Sequence, residues 1–329
     1  MTACGVSSYN RSMMVRPTIH ERITIDCDKR HPQFTAVYLR TAGRECALIE
    51  TETSHARPRI LQALADQGYA PQDVRWIIVT HAHLDHAGGA GGLMAACPNA
   101  TLIGHPRAVS HLVAPEKLVH SAASVYGAEQ FANLYGTIEP IPAQRVRAVA
   151  EGETIALGDT ELRVLHVEGH ANHHIALADP ATDSVFTGDA FGVVYPALQS
   201  HGVFALPSTS PTNFDAQKAH ASIDRIRQIG ASYMCLTHFG VHSEVGAIAD
   251  QLHEWLELAE KWVCDACDSG DSAEVITERL RGAWREAAER TIHARGFGFS
   301  HDEWRLLDTD FSLNAQGLAV AAMRRRTLQ

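Results

Sequence analysis

Thiols are few and unmatched in this 329-residue chain: its seven cysteines, at positions 4, 27, 46, 97, 235, 264 and 267, form an odd and scattered set. No disulfide framework can be read from them. A stretch of ~18 continuous apolar residues is also missing, so nothing reads as a membrane span. Residues 1 to 20 lack the apolar run of a secretory signal. A reduced, cytoplasmic protein without a membrane partner is the simplest account. Positive charge is short as well, with 28 basic residues against 38 acidic ones and a net charge of −10. Nucleic-acid affinity depends mostly on neutralising phosphates, so this balance argues against nucleic acid as a partner. Cys264-Asp265-Ala266-Cys267 has C-x-x-C spacing but no second pair to complete a zinc set, and it falls within a helical pattern. It reads as structural.

What the chain does have is a dense cluster of metal-binding side chains. In Trp76-Ile77-Ile78-Val79-Thr80-His81-Ala82-His83-Leu84-Asp85-His86-Ala87-Gly88-Gly89, an apolar, β-branched run leads directly into three histidines and an aspartate. The run reads as an interior strand of a covered sheet. In extended chain, residues two apart point the same way, so His81 and His83 face one point. Asp85 and His86 are neighbours and must diverge toward different targets. The glycines that follow allow a tight turn and close approach of backbone. Strand ends are where α/β folds place their chemistry. Imidazole and carboxylate without thiolate suit zinc first, and iron or manganese also fit.

His-Ala-His-Leu-Asp-His resembles the His-x-His-x-Asp-His signature of the metallo-β-lactamase fold superfamily. That resemblance implies further ligands in a fixed order. Glu168-Gly169-His170-Ala171-Asn172-His173-His174 is similar to the second motif, with His170 as ligand. Thr187-Gly188-Asp189-Ala190 resembles the third, with Asp189 as a bridging carboxylate. Leu236-Thr237-His238-Phe239-Gly240 resembles the last, with His238 as ligand. Together these motifs carry the resemblance over about residues 20 to 245.

The pattern along the chain agrees with the α/β fold this implies, a four-layer αββα sandwich with a C-terminal all-helical appendage. Residues 1–18 read as a flexible leader, 19–245 as the sandwich domain and 246–329 as the helical extension. Short strands are expected at Ile23–Cys27, Phe34–Arg40, Glu45–Glu50, 74–80 and Thr101–Gly104. A helix is expected over His55–Gly68, and a mostly helical insertion broken near Pro115 over Pro106–Gly136. Strands Leu162–Val167, Ser184–Thr187 and Tyr233–Thr237 each run into a candidate ligand, so four ligand-bearing strands should converge on one sheet edge. From Val245, apolar residues such as Ile248, Leu252, Trp255 and Trp262 recur at three- and four-residue spacing, with further helices at 273–294 and 313–325. This extension either covers the core or makes a homodimer, or it walls off the substrate.

The resemblance also implies roles. His81, His83 and His170 would hold one cation, Asp85, His86 and His238 a second, and Asp189 would bridge them. Two zinc ions ~3.5–4 Å apart could share a hydroxide at neutral pH and polarise the oxygen that accepts negative charge. Asp85 is also placed to orient the attacking water. His173 and His174 read as supports for the ligands. The long connection after Asp189 supplies Phe191, Tyr195 and Phe204 as candidate pocket residues. Lactonases of this superfamily carry a tyrosine three residues past the bridging aspartate, and here that position is Gly192. The reading is a metal-dependent hydrolase of a small, fairly apolar ester, lactone, thioester or amide. Two alternatives remain: a mononuclear iron sulfur dioxygenase of the persulfide dioxygenase type, and a fold relative with a binding or regulatory role.

Overall fold

Residues 20–27, 32–209 and 213–328 are described by a computed structural model. The leader expected over 1–18 lies outside them.

Two six-stranded sheets make the centre. The first has the order β1 (His20–Asp26), β2 (Ala36–Ala42), β3 (Glu45–Ile49), β4 (Val74–Ile78), β5 (Thr101–Gly104) and β6 (Val146–Ala148). Its first three strands are antiparallel, and β3 to β6 run parallel. The second contains β7 (Thr154–Leu157), β8 (Thr160–Val167), β9 (His174–Asp179), β10 (Ser184–Gly188), β11 (Tyr233–Leu236) and β12 (Gly240–His242), antiparallel except for β10 against β11.

Alternation along β4 shows how the layers are glued. Trp76 and Ile78 join the apolar cluster between the sheets, with Tyr38, Val164, Ile175 and Phe186. Ile77 and Val79 face the other way, among Ile60 and Leu64 of α1 (Arg57–Asp66) and Leu93 of α3 (Ala90–Ala96), which follows the short helix α2 (Leu84–Ala87). From Trp76 onward the strand is buried on both faces and apolar without alternation, while Arg75 near its start stays exposed. Next come α4 (Pro106–Val113), α5 (Glu116–Tyr126) and α6 (Ala128–Tyr135). The insertion breaks near Pro115 as expected, and again at Gly127.

Helix α7 (Ala216–Arg227) packs on β8 of the second sheet, α8 (Val245–Ser269) packs on α7, and α9 (Ala273–Ala294) and α10 (His301–Leu328) complete the helical layer. Ile226, Leu252, Trp255, Leu280, Trp284, Leu307 and Phe311 belong to the same apolar cluster as the inter-sheet residues. Trp284 is fully buried, with Trp255 and Trp262 rings 5.3 and 5.1 Å away. Helix α10 starts well before the expected 313. Ser300 and Glu303 form a reciprocal cap, Ser300 N to Glu303 Oε2 at 2.6 Å and Glu303 N to Ser300 Oγ at 3.3 Å. That S-x-x-E signal was readable in the sequence.

One charged pair crosses the dry interior. The Arg40 guanidinium on β2 donates to the Asp179 carboxylate at the end of β9, with Nη2 3.2 Å from Oδ1, and both side chains have zero exposure. It joins the sheets at the strand ends remote from His174.

Candidate metal centre

The ligand-bearing strands do not meet at one sheet edge. β4 belongs to the first sheet, whereas β8, β10 and β11 belong to the second. The cluster instead forms where neighbouring ends of the two sheets come together, stitched by Ile175 N to Thr80 O at 2.8 Å and Ala36 N to Thr237 O at 2.8 Å.

His81 and His83 follow β4, and His83 caps α2, which then presents Asp85 and His86 on different sides. His81 Nε2, His83 Nδ1 and His170 Nε2 form a triangle with sides of 2.9, 3.0 and 3.2 Å. Three nitrogens bound tetrahedrally at about 2.0–2.1 Å from zinc would stand about 3.4 Å apart, so the triangle is close to the required size. Asp85, His86 and His238 form a second group, with all ligand atoms within 4.8 Å of one another. Asp189 lies between the two. Its Oδ2 is 3.5 Å from His170 Nε2, and its Oδ1 is 3.2 Å from His86 Nε2 and 3.6 Å from His238 Nε2.

Tautomers are dictated by the partners on the far side of each ring. His170 Nδ1 donates to Ser208 O at 3.0 Å and His238 Nδ1 donates to Phe34 O at 3.1 Å. A carbonyl can only accept, so in the neutral rings each Nε2 offers a lone pair inward. His86 Nδ1 likewise donates to Glu50 Oε1 at 3.0 Å. Its Nε2 and Asp189 Oδ1 are buried without a hydrogen-bond partner. Orphaned buried atoms of this kind need an explanation, and a cation between them supplies one.

Protonation divides the cluster. Burial, then His86 and His83, push His81 well below the ordinary imidazole range. Burial, then His170, take His83 down to about 3. Neutral imidazole is the form a metal needs. Burial opposes charge on His238 too, but Asp189 and Asp85 outweigh it and lift the ring to about 9. His86 is raised in the same way against its burial, by Asp189, Asp85 and Glu50. Protons here stand where a cation would satisfy the same carboxylates. Asp85 keeps 44% of its side chain exposed, at the open side of the group.

Sequence reading missed Glu50. It follows β3 at φ 69, in the left-handed region that costs a non-glycine residue ~1–3 kcal/mol. Its buried carboxylate accepts from Thr80 N at 3.2 Å, Thr237 Oγ1 at 3.2 Å and His86 Nδ1. Glu50 also lies within ligand distance of His81 and His86, but these bonds occupy it as an acceptor. A lone acid closing an apolar strand was the available signal. Ser208 was missed too; its Oγ donates to Asp189 Oδ2 at 3.2 Å. Gly188, at φ 51, has no room for a Cβ, which would fall 2.5 Å from Thr80 Oγ1 and 2.6 Å from His174 Nε2.

His173 and His174 are not in either ligand group. His174 Nε2 accepts from Asp189 N at 3.2 Å, and His173 Nδ1 meets Ala82 N at 3.5 Å, so both touch backbone beside the ligands.

The expected pocket residues need correction. Phe191, Tyr195 and Phe204 are at most 1% exposed and belong to the apolar core. The Tyr195 hydroxyl is used internally, donating to Asp310 Oδ1 on α10 at 3.2 Å, and its ring stacks on Phe34. Beside His170 and Asp189 the structure leaves only a void of about 20 Å³, bounded by Gly192, Pro207, Ser208, Phe214, Leu252 and Leu256, which is the size of a water and not of a substrate. The long loop folds inward because its aromatics are needed to fill the space under the C-terminal helices. Cys264 and Cys267 lie on α8, with Cys267 buried and Cys264 Sγ 3.2 Å from Arg325 Nη1. Among the described residues no helix is long and apolar enough to cross a membrane.

A family model described as the metallo-beta-lactamase superfamily matches residues 32–238, spanning every ligand candidate. The chain belongs to that superfamily. A metallo-beta-lactamase fold-containing protein of Sulfurisphaera tokodaii is 25% identical over 215 residues, covering 64% of this chain and 75% of that protein. A hydroxyacylglutathione hydrolase of Jannaschia sp. is 29% identical over 168 residues, or 51% of this chain, which spans only 50% of that enzyme's length. Two solved members share the fold across most of the chain. One, from Sulfolobus tokodaii, has a TM-score of 0.64 at 21% identity and covers 91% of this chain and 98% of its own. Another, from Thermus thermophilus, has a TM-score of 0.65 at 19% identity and covers 93% and 94%. The likeness in this superfamily therefore continues beyond the sandwich into the helical extension.

Proposed function

We propose that this chain is a metal-dependent hydrolase holding two divalent cations, zinc by donor type, and cleaving a small ester, lactone, thioester or amide. The carrying observation is the placement of Asp189, whose two oxygens face two separate ligand groups. His81, His83 and His170 would hold one cation, and Asp85, His86 and His238 the other. Cations held there would supply an acidified water and stabilisation of charge developing on a carbonyl oxygen.

The remaining work falls to the protein. Ser208 O, Phe34 O and Glu50 hold His170, His238 and His86 in the tautomer that points a lone pair inward. Asp85, partly exposed beside His86 and His238, is placed to accept a hydrogen bond from the attacking water and aim it. Tyr195 is not available to a substrate oxygen, since its hydroxyl is bonded to Asp310. A thioester gains support among the four classes from the hydroxyacylglutathione hydrolase relatives. A mononuclear oxygenase would leave the Asp85–His86–His238 group without a task.

Elemental analysis of the purified chain, with turnover assays on lactones, thioesters, aryl esters and phosphodiesters, tests this reading. About two metals per chain and turnover of a carbonyl substrate are expected. A chain that binds no divalent metal at neutral pH would sink it.

A further inference from the structure

Asn314 lies in the middle of α10 and is 3% exposed, among the apolar residues Phe311, Ala315 and Leu318 of the same helix. A buried carboxamide left unpaired costs ~1–3 kcal/mol, so its partners matter. Its side chain and its carbonyl bond to one short strap. Thr209 N donates to Asn314 Oδ1 at 2.8 Å, Asn314 Nδ2 donates to Pro207 O at 2.9 Å, and Thr209 Oγ1 donates to Asn314 O at 3.0 Å. The residue between these anchors is Ser208. Its carbonyl accepts from His170 Nδ1 at 3.0 Å and its hydroxyl donates to Asp189 Oδ2 at 3.2 Å.

We infer that Asn314 is a positioning residue of the metal centre, acting through the strap Pro207–Thr209 to orient His170 and Asp189. The inference rests on the metal-centre reading above. Two residues far apart in sequence, a ligand of the first group and the carboxylate shared by both, are steered by one serine, and that serine is clamped on either side by one asparagine. A side chain that only fills space would not need to grip both of its neighbours. The C-terminal helices thereby act on the chemistry as well as complete the helical layer. Partners that orient ligands commonly matter 10–100-fold for metal affinity.

The test uses the full-length chain as wild type, Asn314→Leu, Ser208→Ala and the double variant. Metal affinity is read by chelator competition, ligand geometry by the visible spectrum of the cobalt(II)-loaded protein, and folding by melting of the metal-free protein. Asn314→Leu should weaken affinity ~10–100-fold and shift the cobalt bands. Ser208→Ala should reproduce part of both changes, and the double variant should lose less than the two single losses combined. Wild-type affinity and bands in a folded Asn314→Leu, or in Ser208→Ala should Asn314→Leu not fold, would overturn the inference. A purely structural role would lower only the metal-free melting temperature. A wild-type chain that takes up no metal removes the underlying reading, and this inference with it.

Discussion

His86 and Glu50 form a hydrogen bond of 3.0 Å in which neither side chain has more than 1% of its surface in solvent. Glu50 accepts a hydrogen bond from Nδ1, so in the neutral ring the lone pair of His86 Nε2 faces Asp189. Glu50→Ala should lower affinity at that ligand group ~10–100-fold, and Glu50→Gln less, because the amide oxygen can still accept. Metal stoichiometry and chelator competition measure both. Equal affinity in all three proteins would mean that the contact does not orient the ring.

Asp189→Ala should lose one or both cations while the chain remains folded. Metal content by elemental analysis, alongside circular dichroism, reads the two separately. Undiminished metal would show that the carboxylate does not bridge.

His83→Ala should reduce hydrolysis by orders of magnitude, since it removes one corner of the imidazole triangle. Turnover with whichever substrate the panel identifies is the measurement, and an unchanged rate would place catalysis elsewhere.

Proton competition gives a pH dependence. His238 is raised to about 9 by Asp189 and Asp85 despite its burial, so a cation entering beside it must displace a proton below that pH. Apparent affinity should therefore climb from pH 6.5 to 9. In the metal-free protein the sign reverses. The raised ring contributes stability that is complete below its unfolded value of about 6.5 and lost as pH passes through 9. Melting of the stripped protein should accordingly decline over that window, and less in His238→Asn.

Asp310 gives a case of the same sign in an acid. Burial chiefly raises it from 3.8 to about 7, with Asp189 adding to the rise and His238 and Tyr195 opposing it. The folded protein holds this proton more tightly than the unfolded chain does. Its contribution to stability therefore falls as pH rises from about 4 to 7 and then levels off. Metal-free Asp310→Asn should melt with wild type at pH 4 and above it at pH 8. No divergence between the two curves would mean that the carboxyl is not held neutral.

The strands and the seven clustered side chains were legible because each motif is short and follows an apolar run. His81 and His83 converge for a local reason, alternation along extended chain. Glu50, Ser208 and Asn314 were not legible as site residues. Their importance comes from contacts with segments distant in sequence, and nothing local marks them. Phe191, Tyr195 and Phe204 were misread because an aromatic-rich loop looks the same whether it lines a pocket or plugs a core. The burial of that loop depends on α8, α9 and α10 lying over it, which periodicity could suggest but not orient.

The Arg40–Asp179 pair has a bearing on how this architecture tolerates change. It fastens the sandwich at one pole, while the histidines gather at the other. Substitutions among the histidines would leave that distant rivet untouched, so the metal-free protein should keep its two sheets joined.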